Sequence, residues 1–576
     1  MSKSARRSAV RYCAAMVCCA LAGAALANPT GPTVVSGQAS FQAGGSTLTI
    51  TNSPGTIINW QGFSIAKDEL TRFLQQSAVS AVLNRVVGGN PSEILGRLSS
   101  NGRVYLINPN GIAFGPDSRI DVGGLVASTL NMSDADFLSG RQRFSGGGEG
   151  RLLNQGNITT PAGGGVFMVG PQVENAGVIR APSGDIVLAA GRTVQLVDAA
   201  FPSIRVEVSA PADRPLSLGN LSTAASGKVF AFLVRQSGVA SASAAATGAG
   251  GKVVLQSAGE TLLAAGSRTE ATGALGGAVI VTGEQVRVAS LASIDVSGAA
   301  RGGAVLIGGG YQGADPAIAN ARLVVVEPGA TLKASATVSG DGGKVVVFAD
   351  RTTHFAGAIE ARGGPAGGDG GTVEVSGKAS LTFAGAVDTR APAGRDGTLL
   401  IDPARITITA APTGLPANLA DGAWLALEDL GTQLLGAANL ASLLETTSVR
   451  LQASESITVA ANVVAALSAA RTLTLEAPTV RLEGTIASTG APLKVEFVTR
   501  SLIAQPLQRN EQQVQQAAER SVAANSDLAR LRAEIEAEIG RDRARLAQAI
   551  NDSCSRPGAV KQGCTVNPPR RFAFAG

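Results

Sequence analysis

The stretch Gly251-Lys252-Val253-Val254-Leu255, with its echoes Gly277-Ala278-Val279-Ile280 and Gly303-Ala304-Val305-Leu306, decides the fold of this 576-residue chain. A glycine, a variable residue and two or three β-branched or aliphatic residues recur in the same order. Upstream the unit reads Gly165-Val166-Phe167-Met168, Gly184-Asp185-Ile186-Val187-Leu188 and Gly227-Lys228-Val229-Phe230. Downstream it reads Gly343-Lys344-Val345-Val346, Gly371-Thr372-Val373-Glu374-Val375 and Gly397-Thr398-Leu399-Leu400. Successive glycines lie 19, 43, 24, 26, 26, 40, 28 and 26 residues apart. The two long gaps are close to doubled short ones, as expected if one turn there lacks the motif. A turn-strand unit of this period suits a solenoid, whose coils bury their apolar faces only by stacking.

Second strands with alternating patterns fall between the glycines, as in Val194-Gln195-Leu196-Val197 and Val286-Arg287-Val288, and Ala, Ser, Thr and Gly fill the corners. The expected fold is all-β, a right-handed parallel β-helix. About twenty coils between residues 30 and 500 would make a stack of about 95 Å at about 4.8 Å per rung. Gly-rich disorder conflicts with 45% apolar and only 16% charged residues. A β-sandwich array would need Asn-Gly or Asp-Gly hairpins every 8 to 12 residues or so, and these are scarce. Over residues 421–444 the pattern changes to Leu425, Leu427, Leu430, Leu434 and Leu435, which reads as a small inserted helix or an irregular coil. Residues 508–550 turn rich in Glu, Gln, Arg and Ala. Leu528, Leu531, Ile535, Ile539, Leu546 and Ile550 share one face there, which predicts a carboxyl-terminal α-helical segment.

The chain opens with Lys3, Arg6, Arg7 and Arg11, an apolar run from Ala14 to Leu26, and Ala25-Leu26-Ala27. This is the pattern of a cleavable secretory leader over residues 1–27, cut between Ala27 and Asn28. No later segment has the twenty or so unbroken apolar residues of a membrane-spanning helix. Loss of the leader removes four of 48 basic and none of 43 acidic residues, leaving a net charge of +1. With 4% aromatics and no basic run in the body, nucleic acid is not an expected partner. Cys13, Cys18 and Cys19 leave with the leader, so Cys554 and Cys564 are the remaining pair, and in an oxidising compartment they read as one disulfide in a terminal loop over residues 551–576.

An enzyme of β-helical architecture would need carboxylates converging on one groove. Here Asp and Glu look scattered, mostly at turns. His354 has no evident partner and reads as a satisfied or exposed strand histidine, and Asp369 stands alone in a Gly-rich turn. Gly146-Gly147-Gly148 lacks the Lys-Ser/Thr of a phosphate loop. No catalytic residue, metal site or cofactor is expected.

The amino-terminal region is more specific. Val104-Tyr105-Leu106-Ile107 reads as a strand, Asn108-Pro109-Asn110-Gly111 as a tight turn, and Ile112-Ala113-Phe114-Gly115 as the next strand. Around it lie Ile57-Ile58-Asn59-Trp60-Gln61-Gly62-Phe63-Ser64-Ile65, then Ser80-Ala81-Val82-Leu83-Asn84-Arg85-Val86-Val87-Gly88-Gly89-Asn90-Pro91 and Ile94-Leu95-Gly96-Arg97-Leu98. Asp121-Val122-Gly123-Gly124-Leu125-Val126-Ala127-Ser128-Thr129-Leu130 follows. Together these resemble the secretion domain of filamentous haemagglutinin and the other two-partner secretion exoproteins.

The resemblance covers residues 28–200, and residues 201–500 are similar, more loosely, to the family's passenger repeats, with Leu399-Leu400-Ile401-Asp402-Pro403 among them. It implies a capped parallel β-helix at the amino end, export to the periplasm by the Sec machinery, and recognition by an outer-membrane polypeptide-transporting barrel. The protein would then fold at the cell surface or in the medium. It also implies that Asn108, Pro109, Asn110, Gly111 and Ile112 form a secretion motif; a second family motif, Asn-Pro-Asn-Leu, is absent. Residues 78–98 have the local composition of a helix, and the resemblance assigns them to strands instead.

The favoured function is a filamentous haemagglutinin-like adhesin that binds host or neighbouring-cell surface receptors or glycans. A nutrient-capture exoprotein engaging a haem carrier would require a lateral loop insertion, and none is evident. A carrier of a contact-dependent effector would place a globular toxin after the repeats, where the chain has the helical segment and the Cys loop. That loop resembles the terminal Cys pair of high-molecular-weight adhesins, whose loop holds the folded protein on the cell. A plain terminal staple is the alternative.

Overall fold

A computed structural model of the chain describes residues 28–147, 149–199, 203–209, 233–244, 249–411 and 433–504, together with residue 541. The chain divides into two compact units, Met1–Ile503 and Ala504–Gly576. The helix expected over residues 508–550, Ala27 and the pair Cys554 and Cys564 lie outside the described residues, as does Gly227-Lys228-Val229-Phe230.

The first unit is a right-handed parallel β-helix of three faces. One coil runs through Lys252–Ser257, Glu260–Leu263 and Arg268–Glu270. The next, Ala278–Thr282, Gln285–Val288 and Ser293–Asp295, lies on it in register, with Val253 on Val279, Thr261 on Val286 and Thr269 on Ile294. Register is fixed because a slip of one residue would turn every inward side chain outward. Val253, Val279, Val305, Val345, Val373, Leu399, Val449 and Leu473 thus form one buried column, and Leu255, Val281, Ile307, Val347, Val375, Ile401, Leu451 and Leu475 another.

The motif's leading glycine marks the corner where coils approach most closely. A Cβ placed at Gly277 would lie 2.1 Å from the carbonyl oxygen of Gly251, and one at Gly251 would lie 2.0 Å from that of Gly184. The same contact repeats at Gly303, Gly343, Gly371 and Gly397. Any side chain at this column would wedge two coils apart.

The second face carries a column that changes chemistry along the stack: Ile94, Phe114, Asn154, Asn175, Gln236, Leu263, Val288, Val326, Phe355 and Phe383. Its three amides form a buried ladder. Asn154 Nδ2 donates to Asn175 Oδ1 at 2.7 Å, Asn175 Nδ2 donates to Gln236 Oε1 at 2.9 Å, and Gln236 Nε2 ends the chain on the carbonyls of Gly238 and Arg268. Each amide is satisfied by the coil above or below, so the ladder resists slippage as well as unfolding.

The two long glycine gaps are not doubled coils. Asp185–Ala190 pairs directly with Lys252–Ser257, so 67 residues separate adjacent rungs. Part of the intervening chain leaves the solenoid: Thr193–Ala199, which contains Val194-Gln195-Leu196-Val197, pairs antiparallel with Gln142–Gly147 and Ser203–Ser209 in a separate four-stranded sheet. Ala304–Ile307 likewise pairs directly with Lys344–Ala349, and residues 308–322 form a lateral insertion between the first and second faces. The first face therefore stacks fifteen strands among the described residues rather than about twenty, ending in Leu493–Ala504, a ladder of about 67 Å.

Of the leucines that mark the sequence change, Leu425, Leu427 and Leu430 lie outside the described residues; a helix, Ala437–Thr446, follows them and occupies the third-face position between Ala386–Asp388 and Val463–Leu467. It buries Leu440, Leu443 and Leu444 in the main core, whereas Leu434 and Leu435 belong to the strand Gln433–Gly436 before it. Its last turn is held by Arg471, a buried guanidinium that donates to the carbonyl of Glu445 and pairs with Asp396.

His354 lies on the second face between Val325 and Thr382. It is 1% exposed, and neither ring nitrogen makes a hydrogen bond among the described residues, so it is neither satisfied nor exposed as expected. Burial pushes its pKa down to about 4. The unfolded chain binds a proton there near pH 6.5 and the folded chain does not, so stability is lost as pH falls from about 6.5 to about 4. The contribution is about 3 kcal/mol at most. Urea unfolding of wild type and His354→Val at pH 7 and pH 4 should show that the substitution, which extends the Val325 column, reduces the acid-induced loss. An equal loss in both proteins would contradict this.

Candidate functional site

At the amino end Thr33–Ser36 runs antiparallel to Thr56–Trp60, and Ala39–Gly44 forms an antiparallel hairpin with Thr47–Asn52, so the first coil is closed by strands that no further coil can extend. Trp60 is fully buried between Phe41 and Phe63, edge-on to both at 5.7 and 5.6 Å. Its Nε1 donates to Asn84 Oδ1 at 3.0 Å, and Asn84 Nδ2 donates to the Tyr105 carbonyl at 3.2 Å, which bolts the cap to the next two rungs. Residues 78–98 are extended, as Ala81–Val86, Ser92–Ile94 and the start of Arg97–Ile107, because stacking between those rungs outweighs local helix propensity.

The turn Asn108-Pro109-Asn110-Gly111 joins the first face at Ile107 to the second at Ile112–Phe114. Asn108 is fully buried. Its Nδ2 donates to the Asn90 carbonyl at 3.0 Å and to Ser92 Oγ at 2.9 Å, and its Oδ1 accepts from the backbone N–H of Asn110 at 3.0 Å and from Asn110 Nδ2 at 3.1 Å. Asn110 is exposed yet anchored, with Nδ2 donating to the Gly88 carbonyl at 2.9 Å. The Gly111 N–H closes the turn on the Asn108 carbonyl at 3.1 Å; its φ of 127° is one that residues with a Cβ rarely adopt. Ile112 points into the core between Ser92 and Leu152. From the next coil Gly150 presses so closely that a Cβ there would lie 2.5 Å from the Gly111 nitrogen. The motif is therefore an internal bolt, Asn108, carrying a small outward surface, Pro109 and Asn110. It holds no titratable group and no nucleophile, and what its hydrogen bonds supply is positioning.

Outside the helix the strands Leu130–Asn131, Gln142–Gly147, Thr193–Ala199 and Ser203–Ser209 form the four-stranded antiparallel sheet, and Leu130, Phe144, Val194 and Leu196 from it join a second small core with Leu83, Tyr105, Val126 and Val187. Arg85 fastens the start of this excursion, donating to the Met132 carbonyl at 2.8 Å and pairing with Asp134 at 2.6 Å. Burial raises the pKa of the Tyr105 phenol, with Arg103 opposing.

Asn28 sits on the cap: its Oδ1 accepts from Thr71 Oγ1 at 3.0 Å and its Nδ2 donates to the Ser46 carbonyl. Asp369 is not alone, since it pairs with Arg395 at 2.6 Å across one coil. Nor are all the carboxylates scattered: Glu374, Asp402 and Glu476 come together on the outward side of the first face. Among the described residues no group of three or more His, Cys, Asp or Glu is placed to hold a metal ion.

The family model of the TPS secretion domain matches residues 25–269. The crystal structure of the HMW1 secretion domain from Haemophilus influenzae is 30% identical and superposes with a TM-score of 0.51, covering 64% of this chain and all of that one. The chain belongs to the two-partner secretion exoproteins. Such exoproteins are secreted across the outer membrane to the cell surface or the medium, and a TPS domain implies an outer-membrane transporter as partner. Two heme/hemopexin-binding proteins of Haemophilus influenzae, one of them from strain ATCC 51907 / DSM 11121 / KW20 / Rd, are each 38% identical to this exoprotein, over 131 residues in that strain's protein and 88 in the other. These stretches are 23% and 15% of this chain, and the chain spans only 14% and 10% of those proteins.

Asn108→Ala should remove four hydrogen bonds at a buried corner and destabilise the domain by about 1–3 kcal/mol, whereas Asn110→Ala should leave thermal unfolding nearly unchanged. Both should lower export, read by immunoblot of medium, outer membrane and periplasm. Unchanged export by both variants would remove the role assigned to the corner.

Proposed function

We propose that this exoprotein works by binding rather than by catalysis, as an adhesin that engages host or neighbouring-cell surfaces. The secretion corner at Asn108 and Asn110 would be what its transporter reads. The observation that carries the reading is the lateral insertion at residues 308–322, displayed on rungs that stay in register. Loops displayed on a rigid scaffold are where binding residues concentrate, and here the rung pairing continues beneath the loop without distortion.

A second reading, capture of a haem carrier, is favoured by the names of the two relatives. It also gains the lateral loop that the sequence had seemed to lack. The two readings separate in one experiment with purified full-length chain, offered in parallel to immobilised hemopexin and to cultured epithelial cells. The adhesin reading expects saturable attachment to cells and none to hemopexin. Attachment to hemopexin alone would replace it with the second reading.

A further inference from the structure

On the first face one outward column is aliphatic upstream of residue 370, with Val254, Ile280, Leu306 and Val346. That column then turns polar, running Glu374, Leu400, Arg450 and Thr474, and the column beside it pairs Gln452 with Glu476, with Asp402 one residue beyond Ile401. A β-helix gains nothing for its core from polar groups there. Yet the insertion folds back over them, and Glu374 is fully buried.

The Gln312 N–H donates to Glu374 Oε2 at 2.8 Å, while Oε1 has no hydrogen-bond partner among the described residues. A buried acceptor left open is destabilising, and its neighbours are an array of donors and acceptors. Arg450 Nε reaches Glu476 at 2.9 Å, Gln312 Nε2 approaches Gln452 Oε1 at 3.5 Å, and Lys344 Nζ lies 4.7 Å from the centre of the Tyr311 ring. Gln312 itself is held at φ 53°, a left-handed conformation uncommon for a residue with a side chain.

We propose that this sheltered patch beneath residues 308–322 is a binding site for a neutral, hydroxyl-rich ligand, a saccharide. Three acids, Glu374, Asp402 and Glu476, face two bases, Lys344 and Arg450, so neither a strongly anionic nor a strongly cationic ligand is matched. Planar carboxyl, amide and guanidinium groups spaced at the rung interval of about 4.8 Å suit hydroxyls, each of which both donates and accepts. Burial holds Glu374 and Asp402 above the usual carboxylate range. The site would give the adhesin reading its ligand class, and it rests on that reading of the chain as a binding exoprotein.

The test uses full-length exported chain on an array of neutral oligosaccharides built from glucose, galactose, mannose and N-acetylglucosamine, with heparin and poly-lysine as charged probes. Wild type and the loop control Asp315→Asn should retain at least one neutral saccharide. Asp402→Asn, Glu374→Gln and Tyr311→Ala should weaken it at least tenfold, with export and thermal unfolding unchanged for Asp402→Asn. Binding of no neutral saccharide, binding of the charged probes alone, or equal affinity in all variants would overturn the site. Cell attachment that persists in Asp402→Asn would sink the site and spare the adhesin reading; saccharide binding without cell attachment would do the reverse.

Discussion

Everything in this molecule depends on the in-register stacking of coils at the glycine corner, where each glycine Cα lies against the carbonyl oxygen of the glycine one coil away. That contact leaves no room for a Cβ, and it sets the phase of every strand that follows. Once the phase is set, Val253 must sit on Val279 and Val279 on Val305. Truncating a single member of such a column removes contacts from two neighbours as well as its own transfer free energy, a cost of about 2–5 kcal/mol for larger aliphatic residues in packed cores. The antiparallel cap and the helix at Ala437–Thr446 are accommodations to this ladder.

The ladder also explains how insertions are tolerated. Parallel rungs make their hydrogen bonds to the coils above and below, so a loop that leaves at a corner and returns to the same corner costs little beyond closure entropy, which grows slowly with length. Three corners among the described residues use this freedom. Two carry the chain, from Leu130 and from Ala190, out to an antiparallel sheet; a third carries residues 308–322 over Glu374. The corner at Asn108 to Gly111 is different in kind. Asn108 is tied to the coil beneath it through Asn90 and Ser92, and Gly150 presses on Pro109, Asn110 and Gly111 from the coil above, so the outward surface at Pro109 and Asn110 is presented without slack.

The glycine-led motif was legible because it obeys a local rule, close approach at one position and burial at alternating ones, whereas the residues around Trp60 were read only through their resemblance to a family. Residues 78–98 could be read as strands only through their resemblance to a family, since their Ala, Leu and Val content favours helix in isolation. The insertions were misread because a gap of 40 residues between glycines has the same length whether it holds a second coil or a loop; rung pairing alone distinguishes them. The amide ladder left a signal that went unused, the repeated Asn154-Gln155-Gly156, Asn175-Ala176-Gly177 and Gln236-Ser237-Gly238. The gathering of Glu374, Asp402 and Glu476 left none, because residues up to 102 apart in sequence meet only through the register of three successive steps.

Adjacent rungs continue across both long gaps, and paired cysteines read this directly. In a chain with Cys554→Ser and Cys564→Ser, the pairs Asp185→Cys with Lys252→Cys and Ala304→Cys with Lys344→Cys occupy neighbouring rungs, about 4.8 Å apart, within the Cα range of about 4.4–6.8 Å that a disulfide spans. Both pairs should oxidise readily in the folded protein, while Asp185→Cys with Ala278→Cys, two rungs apart, should not. Failure of either neighbouring pair to close, with the two-rung pair closing instead, would mean that another coil intervenes and that the ladder described here is wrong.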